Sequence, residues 1–521
     1  MHLSTLDICI VVLYAVFIFS LAQWVSRDKS GSGERSAQDY FLASRSLPWW
    51  AIGCSLIAAN ISAEQIIGMS GSGYVIGLGI ASYEWMAALT LILVGKYFLP
   101  IFLKNGIYTM PEFLEKRYSP TVRTVMALFW LGVYVFVNLT SILWLGATAV
   151  NTVAGVDLDV ALVALGVFAG AYALYGGLKA VALTDIVQVS LLMLGGLMIT
   201  WIALDKVSDG AGVWTGLQVL MERAPDKFHM ILSADNPHYK DLPGLSVLLG
   251  GLWVMNVSYW GFNQYIIQRA LAAKDLAEAQ KGIVLAAFLK LLMPLIIVVP
   301  GIAAVVLAPD LGRPDAAYPH LMSLLPSGIL GVVFSALVAA IIASLGSKIN
   351  SIATIFTMDI YRPMRPGTSQ ARLVLIGRIA AAVALVVAVL TARPLLGSFD
   401  QAFQFIQEFT GFFTPGICVI FLLGMFWKRT TSAAALIAAV FSAVLSLVLK
   451  LVVPELPFMD RVGLTFLACL VVAVVVSLAQ RLPPTEYRID LDGAGFATSR
   501  SFNVASLAIV AVLVVLYSVF W

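Results

Sequence analysis

Runs of about 20 apolar residues, the length a helix needs to cross a hydrocarbon core, follow one another along almost all of this chain. They fall near 5 to 25, 48 to 73, 77 to 103, 121 to 150, 157 to 176, 181 to 204, 243 to 267, 278 to 308, 328 to 360, 371 to 392, 400 to 426, 431 to 453, 460 to 480 and 500 to 520, roughly fourteen candidate spans. Nothing else in the sequence restricts the fold so tightly. A bilayer core offers the backbone no water, so a crossing segment has to satisfy its own N–H and C=O groups, and runs of this length do so as α-helices. The sequence therefore predicts an all-α polytopic membrane protein. Composition agrees, with 60% of the 521 residues hydrophobic, 12% charged and a mean hydropathy of +0.93. It excludes a soluble enzyme, and a net charge of +3 gives nucleic acid little to grip.

The remaining composition is bland. Cys9, Cys54, Cys418 and Cys469 fall in apolar segments without metal-ligand spacing and read as small core residues. His2, His229, His238 and His320 lie in the N-terminus or in polar loops, so neither a histidine metal centre nor a catalytic constellation is expected, and no covalent cofactor is implied. The opening "MHLSTLDICIVV" lacks a basic start and continues apolar past signal-peptide length, so it should remain as a helix. Basic residues mark alternate loops: Arg27, Lys29, Arg35 and Arg45; Lys116, Arg117 and Arg123; Arg269, Lys274 and Lys281; Arg362, Arg365 and Arg372; Lys428 and Arg429. These loops are predicted to be cytoplasmic, which puts both termini and the loop from Lys206 to Leu242 outside.

Two spans are too polar to face lipid all round. "ANISAEQIIGMSGSG", Ala59 to Gly73, places Asn60, Ser62, Glu64 and Gln65 at membrane depth, and "NVSYWGFNQYIIQR", Asn256 to Arg269, does the same with Asn256, Ser258, Tyr259, Asn263 and Gln264. Such groups persist there only when buried in protein or lining a watery cavity, and a broken helix is predicted in each. Broken helices five spans apart point to the midplane binding site of an inverted-repeat secondary transporter.

The strings "YFLASRSLPWWAIGCSLIAANISAEQIIGMSGSGY", "ASYEWM", "GIYTMPEFLEKRY", "YGGLKAVALTDIVQV", "GGLWVMNVSYWGFNQYIIQRALAAK", "NSIATIFTMDIY" and "FLLGMFWKRTTS" resemble the sodium/solute symporter family, in its sodium/glucose cotransporter branch. The resemblance implies a LeuT-type fold: an extra helix and cytoplasmic loop over 1–47, a first five-helix repeat over 48–206, an external loop over 207–242, an inverted second repeat over 243–427, and additional helices over 428–521. It implies secondary transport of a hexose by alternating access at a bacterial inner membrane. No signalling domain is expected, which counts against a sensor, and a non-sugar solute is the remaining alternative. The expected partners are a sugar, sodium or a proton, and membrane lipid, with the chain a monomer or loose homo-oligomer.

By the same resemblance, Gln65, Glu84, Asn256, Lys290 and Gln407 would hold the sugar hydroxyls. Tyr259 would stack on the ring and close the inward path, supported by Asn60 and Asn138, while Met69, Tyr83 and Phe403 would form an outer lid. The chemistry suits a pyranose, whose edge of hydroxyls needs amides and a carboxylate and whose C–H faces need an aromatic. Sodium would be held by the carbonyls of Ala58, Ile61 and Ala340 and by a hydroxyl pair that falls on Ala343 and Ser344, so the first hydroxyl is missing. Lys348 follows one turn later, where an apolar residue is expected. Ala340, Ser344 and Lys348 share a helix face, and the lysine stem leans back toward Ser344. The spacing predicts either that the Lys348 ammonium replaces sodium, giving proton-coupled or uncoupled sugar flux, or that it reaches an inner aqueous vestibule beside a weakened sodium site. Asp185, in "LTDIVQV", resembles the family acid on the sodium exit path, which would put it where it could pair with Lys348 and take part in coupling.

Overall fold

The computed structural model describes residues 3–26, 41, 43–396, 402–481, 489 and 495–521, and these are predominantly helical, with no strand among them beyond one isolated bridge between Leu47 and Ala273. In chain order the principal helices are α1 (Thr5–Ser26), α2 (Trp49–Asn60), α3 (Glu64–Val75), α4 (Leu78–Lys104), α5 (Pro120–Ala154), α6 (Leu158–Ala171) and α7 (Val181–Val207). Then come α8 (Gly251–Val257), α9 (Gln264–Leu271), α10 (Leu276–Leu307), α11 (Ile329–Ile355), α12 (Gln370–Leu396), α13 (Ala402–Gly411), α14 (Thr414–Phe426), α15 (Ser432–Val452), α16 (Phe458–Ala479) and α17 (Arg500–Val519). Among the described residues, ten helices are long and apolar enough to cross a bilayer, eleven with the bent pair α2 and α3. That is fewer than the sequence predicts. The shortfall falls on interrupted or short segments: the α8–α9 pair, the 400 to 426 span, which is divided at Phe412 and Phe413, and α6, joined to α7 by an unbroken helical backbone pattern from Leu158 to Val207.

Both predicted breaks are present. α2 ends at Asn60, Ile61 is extended (φ −77°, ψ 114°), and α3 resumes as a wide π-type turn over Glu64–Gly68, bent 62° from α2. The Ser62 hydroxyl accepts from the Glu64 N–H at 3.2 Å, a local bond of the kind that lets serine replace a helical rung. The second break is at Asn263 (φ −86°, ψ 119°), between a wide turn over Ser258–Phe262 and α9. Tyr134 of α5 repairs it: its hydroxyl accepts from the Gln264 N–H at 3.0 Å and donates to the Asn263 side chain. The Glu64 and Gln264 N–H groups, one beside each break, thus find side-chain partners inside the protein, as a break at this depth requires.

Burial grades sharply from centre to rim. The apolar window of α11 is 83% buried inside the protein, whereas that of α17 is 17% buried and faces lipid. α10 lies against both halves of the first broken helix. A side chain at Gly301 would come within 2.1 Å of the Ser70 carbonyl oxygen, so only glycine admits that approach. At one end of the bundle, Asp7 of α1 accepts from the N–H groups of Gly328 and Gly331, each at 2.8 Å, and thereby caps α11. The stretch after α7 folds over the end of α3, where Lys227 donates to the Val75 carbonyl at 2.6 Å; partial burial there draws its ammonium pKa down.

Candidate functional site

The two breaks face one central cavity. Asn60, Gln65, Glu84, Asn138, Asn256, Tyr259, Lys290 and Gln407 all line it, bringing together every sugar-contacting residue expected from sequence. Its polar wall is continuous. Lys290, fully buried in mid-α10, donates to Glu84 of α4 and to the Asn60 side-chain carbonyl, and sits 5.1 Å from the Trp260 ring centroid. Glu84 also accepts from Gln65 at 3.3 Å, and Asn60 donates to the Tyr259 hydroxyl at 2.9 Å. Asn256 donates to its own helix at Leu252, 3.1 Å away, which leaves its side-chain carbonyl toward the cavity.

A carboxylate and an ammonium at this depth are tolerable only as a hydrogen-bonded pair. Paired, they present a neutral surface of donors and acceptors spread over α2, α3, α4, α8 and α10. That surface suits a polar, uncharged solute.

The aromatic parts divide. Tyr259 stands edge-on to Trp260 and Tyr265, at 5.2 and 5.7 Å between centroids, and joins the cavity floor to Asn60. Of the expected outer lid, Tyr83 lines the cavity, whereas Met69 is fully buried in packing outside its lining. The Phe403 side chain lies outside the described residues.

The expected cation position lies beside the first break. Ser344 donates to the Ala59 carbonyl at 3.3 Å, which brings α11 against the end of α2. The Lys348 ammonium donates to the Ser344 hydroxyl at 2.9 Å and lies 4.1 Å from the Tyr265 ring centroid. It is 1% exposed, so it points into protein and not into a vestibule. Ala58, Ile61, Ala340 and Ala343 are buried around the same helices, and Ala343 brings only a methyl and its carbonyl, which accepts from Ser347 at 2.8 Å. Asp185 departs from expectation. It accepts from Ser55 at 2.5 Å and lies 4.0 Å from Arg269, so its cation is Arg269 and not Lys348. Arg269 in turn holds Ser55 at 3.1 Å, the Tyr265 carbonyl at 2.7 Å and Ser347, tying α2, α9 and α11 together. A guanidinium has the several fixed donors that such a junction needs.

A further carboxylate, Glu64, stands at the start of α3. Glu64 lines the cavity and accepts from Ser141 of α5. Sequence reasoning placed it at membrane depth without a role, although a carboxylate there was itself the signal.

A model of the sodium:solute symporter family matches residues 40–441. The sodium/glucose cotransporter of Vibrio parahaemolyticus is 52% identical over 100% of this chain and 99% of its own length. Sodium/glucose cotransporter 4 of Danio rerio is 32% identical over 83% of this chain and 70% of its own. Human sodium/myo-inositol cotransporter 2 is also 32% identical, over 82% and 67%. Among solved structures, a Na+-coupled sialic acid symporter in a substrate-bound outward-open state shares the fold with a TM-score of 0.81 at 22% identity, over 93% of this chain and 99% of that one.

Proposed function

Given that this chain belongs to the sodium:solute symporter family and is a LeuT-type membrane transporter and not an enzyme, we propose that it carries a hexose of the glucose or galactose type by alternating access. The observation that carries this reading is the unbroken chain of polar contacts Gln65–Glu84–Lys290–Asn60–Tyr259 along the cavity between the two broken helices. Gln65, Glu84, Asn256, Lys290 and Gln407 meet the sugar hydroxyls. Tyr259 takes the ring face and stands as the inner barrier while Asn60 holds it. The relative from Vibrio, named for sodium and glucose, supports the same substrate class. Rocking of one helix set against the other then opens the cavity to each side in turn. The distribution of basic loops favours both termini outside a bacterial inner membrane.

The ion partner is where a second reading is favoured by a particular contact. Sodium requires several hard oxygen ligands. Here one hydroxyl is replaced by Ala343, and an ammonium already lies 2.9 Å from the other, Ser344. This favours sugar flux that does not depend on sodium, with Lys348 as a built-in cation. Labelled glucose and galactose uptake into proteoliposomes, in sodium or choline buffer and with unlabelled hexoses or myo-inositol as competitors, tests both readings. Failure of every hexose to compete overturns the substrate. Accumulation that requires sodium overturns the second reading and returns the chain to sodium/sugar symport.

A further inference from the structure

At the end of the bundle where the basic loops gather, two recesses follow one another along α10, away from the central cavity. The first, of about 420 Å³, lies between the end of α4, the start of α10 and Gly495, and Arg45, Lys104 and Lys274 line it. The acid among its described lining residues, Asp275, is engaged in capping α10, where it accepts from the Glu278 N–H at 2.9 Å. Arg45 donates to the Gly106 carbonyl at 2.9 Å, and its Nε–H is buried without a partner among the described residues. The second recess, of about 500 Å³, is an apolar groove with Val284, Phe288 and Leu291 of α10 on one wall and Ala508, Ile509 and Val512 of α17 on the other. Leu276 of the first recess and Gln280 of the second stand one turn apart on the same face of α10. The segment 495–499 borders both, held on α4 by Phe496 against Tyr97 at 5.7 Å between centroids.

The groove has the depth of one leaflet. From Gln280 to Leu291 it covers about 17 Å by helical rise, close to half of a hydrocarbon core of about 30 Å. Trp49 stands at its mouth, where its N–H meets Glu278 at 2.8 Å and its ring is 40% exposed, as suits an aromatic at the headgroup level. Lys281 lies at the same level, paired with Glu278 at 3.3 Å. Phe288, halfway along, is 51% exposed, so the groove is open sideways to lipid. Its deep end is Leu291, whose carbonyl accepts from Trp85 at 3.3 Å, next to Lys290 of the cavity wall. A soluble anion would answer the three cations and leave the groove empty, and an uncharged lipid would fill the groove and leave the cations facing nothing.

We propose that the two recesses are one binding site for an anionic phospholipid of the leaflet on the side of the basic loops. Its phosphate sits among Arg45, Lys104 and Lys274, and one acyl chain lies between α10 and α17. Basic pockets between membrane helices suit phosphate headgroups, and each lining cation adds attraction at short range. The buried Arg45 Nε–H gains the acceptor it otherwise lacks. The chain fills the seam along which α17, only 17% buried in its apolar window, meets the helix that carries Lys290. This site is independent of which sugar or ion the carrier moves.

The test uses the full-length protein in a neutral detergent, titrated with phosphatidylglycerol or with phosphatidylcholine of the same acyl chains and read by native mass spectrometry. The wild type should bind phosphatidylglycerol in preference. Lys104→Gln with Lys274→Gln, both exposed positions, should lower that preference by about fivefold for each cation removed. The same charge change on another basic loop, Arg362→Gln with Arg365→Gln, should leave it intact. Ala508→Trp, which fills the groove, should weaken binding of both lipids. A phosphatidylglycerol with a photoreactive group on one acyl chain should label peptides of α10 and α17 in the wild type and lose that labelling in Ala508→Trp. Four results overturn the proposal: no preference in the wild type, equal loss in the two double variants, labelling confined to other helices, or displacement of the lipid by glycerol phosphate at matched concentration, which would make the recess a site for soluble anions.

Discussion

Lys290 and Glu84 set a strong demand on the fold. Both are essentially buried, and each is the other's charge partner. Removing one strands the other, so Glu84→Ala should cost about 3–5 kcal/mol, read as a fall in melting temperature of the solubilised protein. The double neutral variant Glu84→Gln with Lys290→Met should recover much of that loss while leaving hexose binding poor, because the stability term lies in the pairing and the sugar term in the hydroxyl contacts. At the ion position, Lys348→Met combined with Ala343→Ser restores the second hydroxyl and removes the ammonium. Hexose uptake by that variant should become sodium-dependent, measured as the ratio of uptake in sodium to uptake in choline, whereas the wild-type ratio should stay near one. The reach of Lys348 to Ser344 was legible in the sequence because both lie on one helix at a spacing of four. The partner of Asp185 was not, because Arg269 comes from α9 and only the three-dimensional path of the second broken helix brings it there.

Among the helices, the two breaks were readable because polar groups cluster where an apolar run should continue. What closes the second break was not: Tyr134 sits on α5 and carries no mark in its own span that assigns it to Asn263 and Gln264. Tyr134→Phe should therefore leave the Gln264 N–H without its partner and cost about 1–3 kcal/mol, detectable as faster hydrogen exchange at the start of α9. The contact of α10 with α3 admits no side chain at Gly301, and Gly301→Val should prevent the close approach, lowering thermal stability and yield of folded protein together. The division of the 400 to 426 run at Phe412 and Phe413 escaped the sequence reading because aromatic residues leave no polar signal of an interruption.

Across the whole molecule, apolar length and glycine-rich polar interruptions made the class of fold plain, while helix count was blurred wherever one crossing is built from two short pieces. The structure adds a relation between the chain ends. Asp7 caps α11 beside Gly328, and at the other end of the chain the Phe520 carbonyl accepts from the Met230 N–H at 2.7 Å, in the same stretch that folds over α3. If that face is external, as the basic loops indicate, Ser4→Cys and Ser518→Cys in a cysteine-free background should both react with a membrane-impermeant maleimide in intact cells; protection of either one reverses the assignment. The contact between Lys348 and Ser344 also changes how the cation position answers to its surroundings. A free ion fills a site according to its activity in the medium, and a dilute habitat leaves the site empty. A covalently tethered ammonium is present at a fixed effective concentration that no change of salinity can lower, so occupancy of that position becomes a property of the chain and not of the water it lives in.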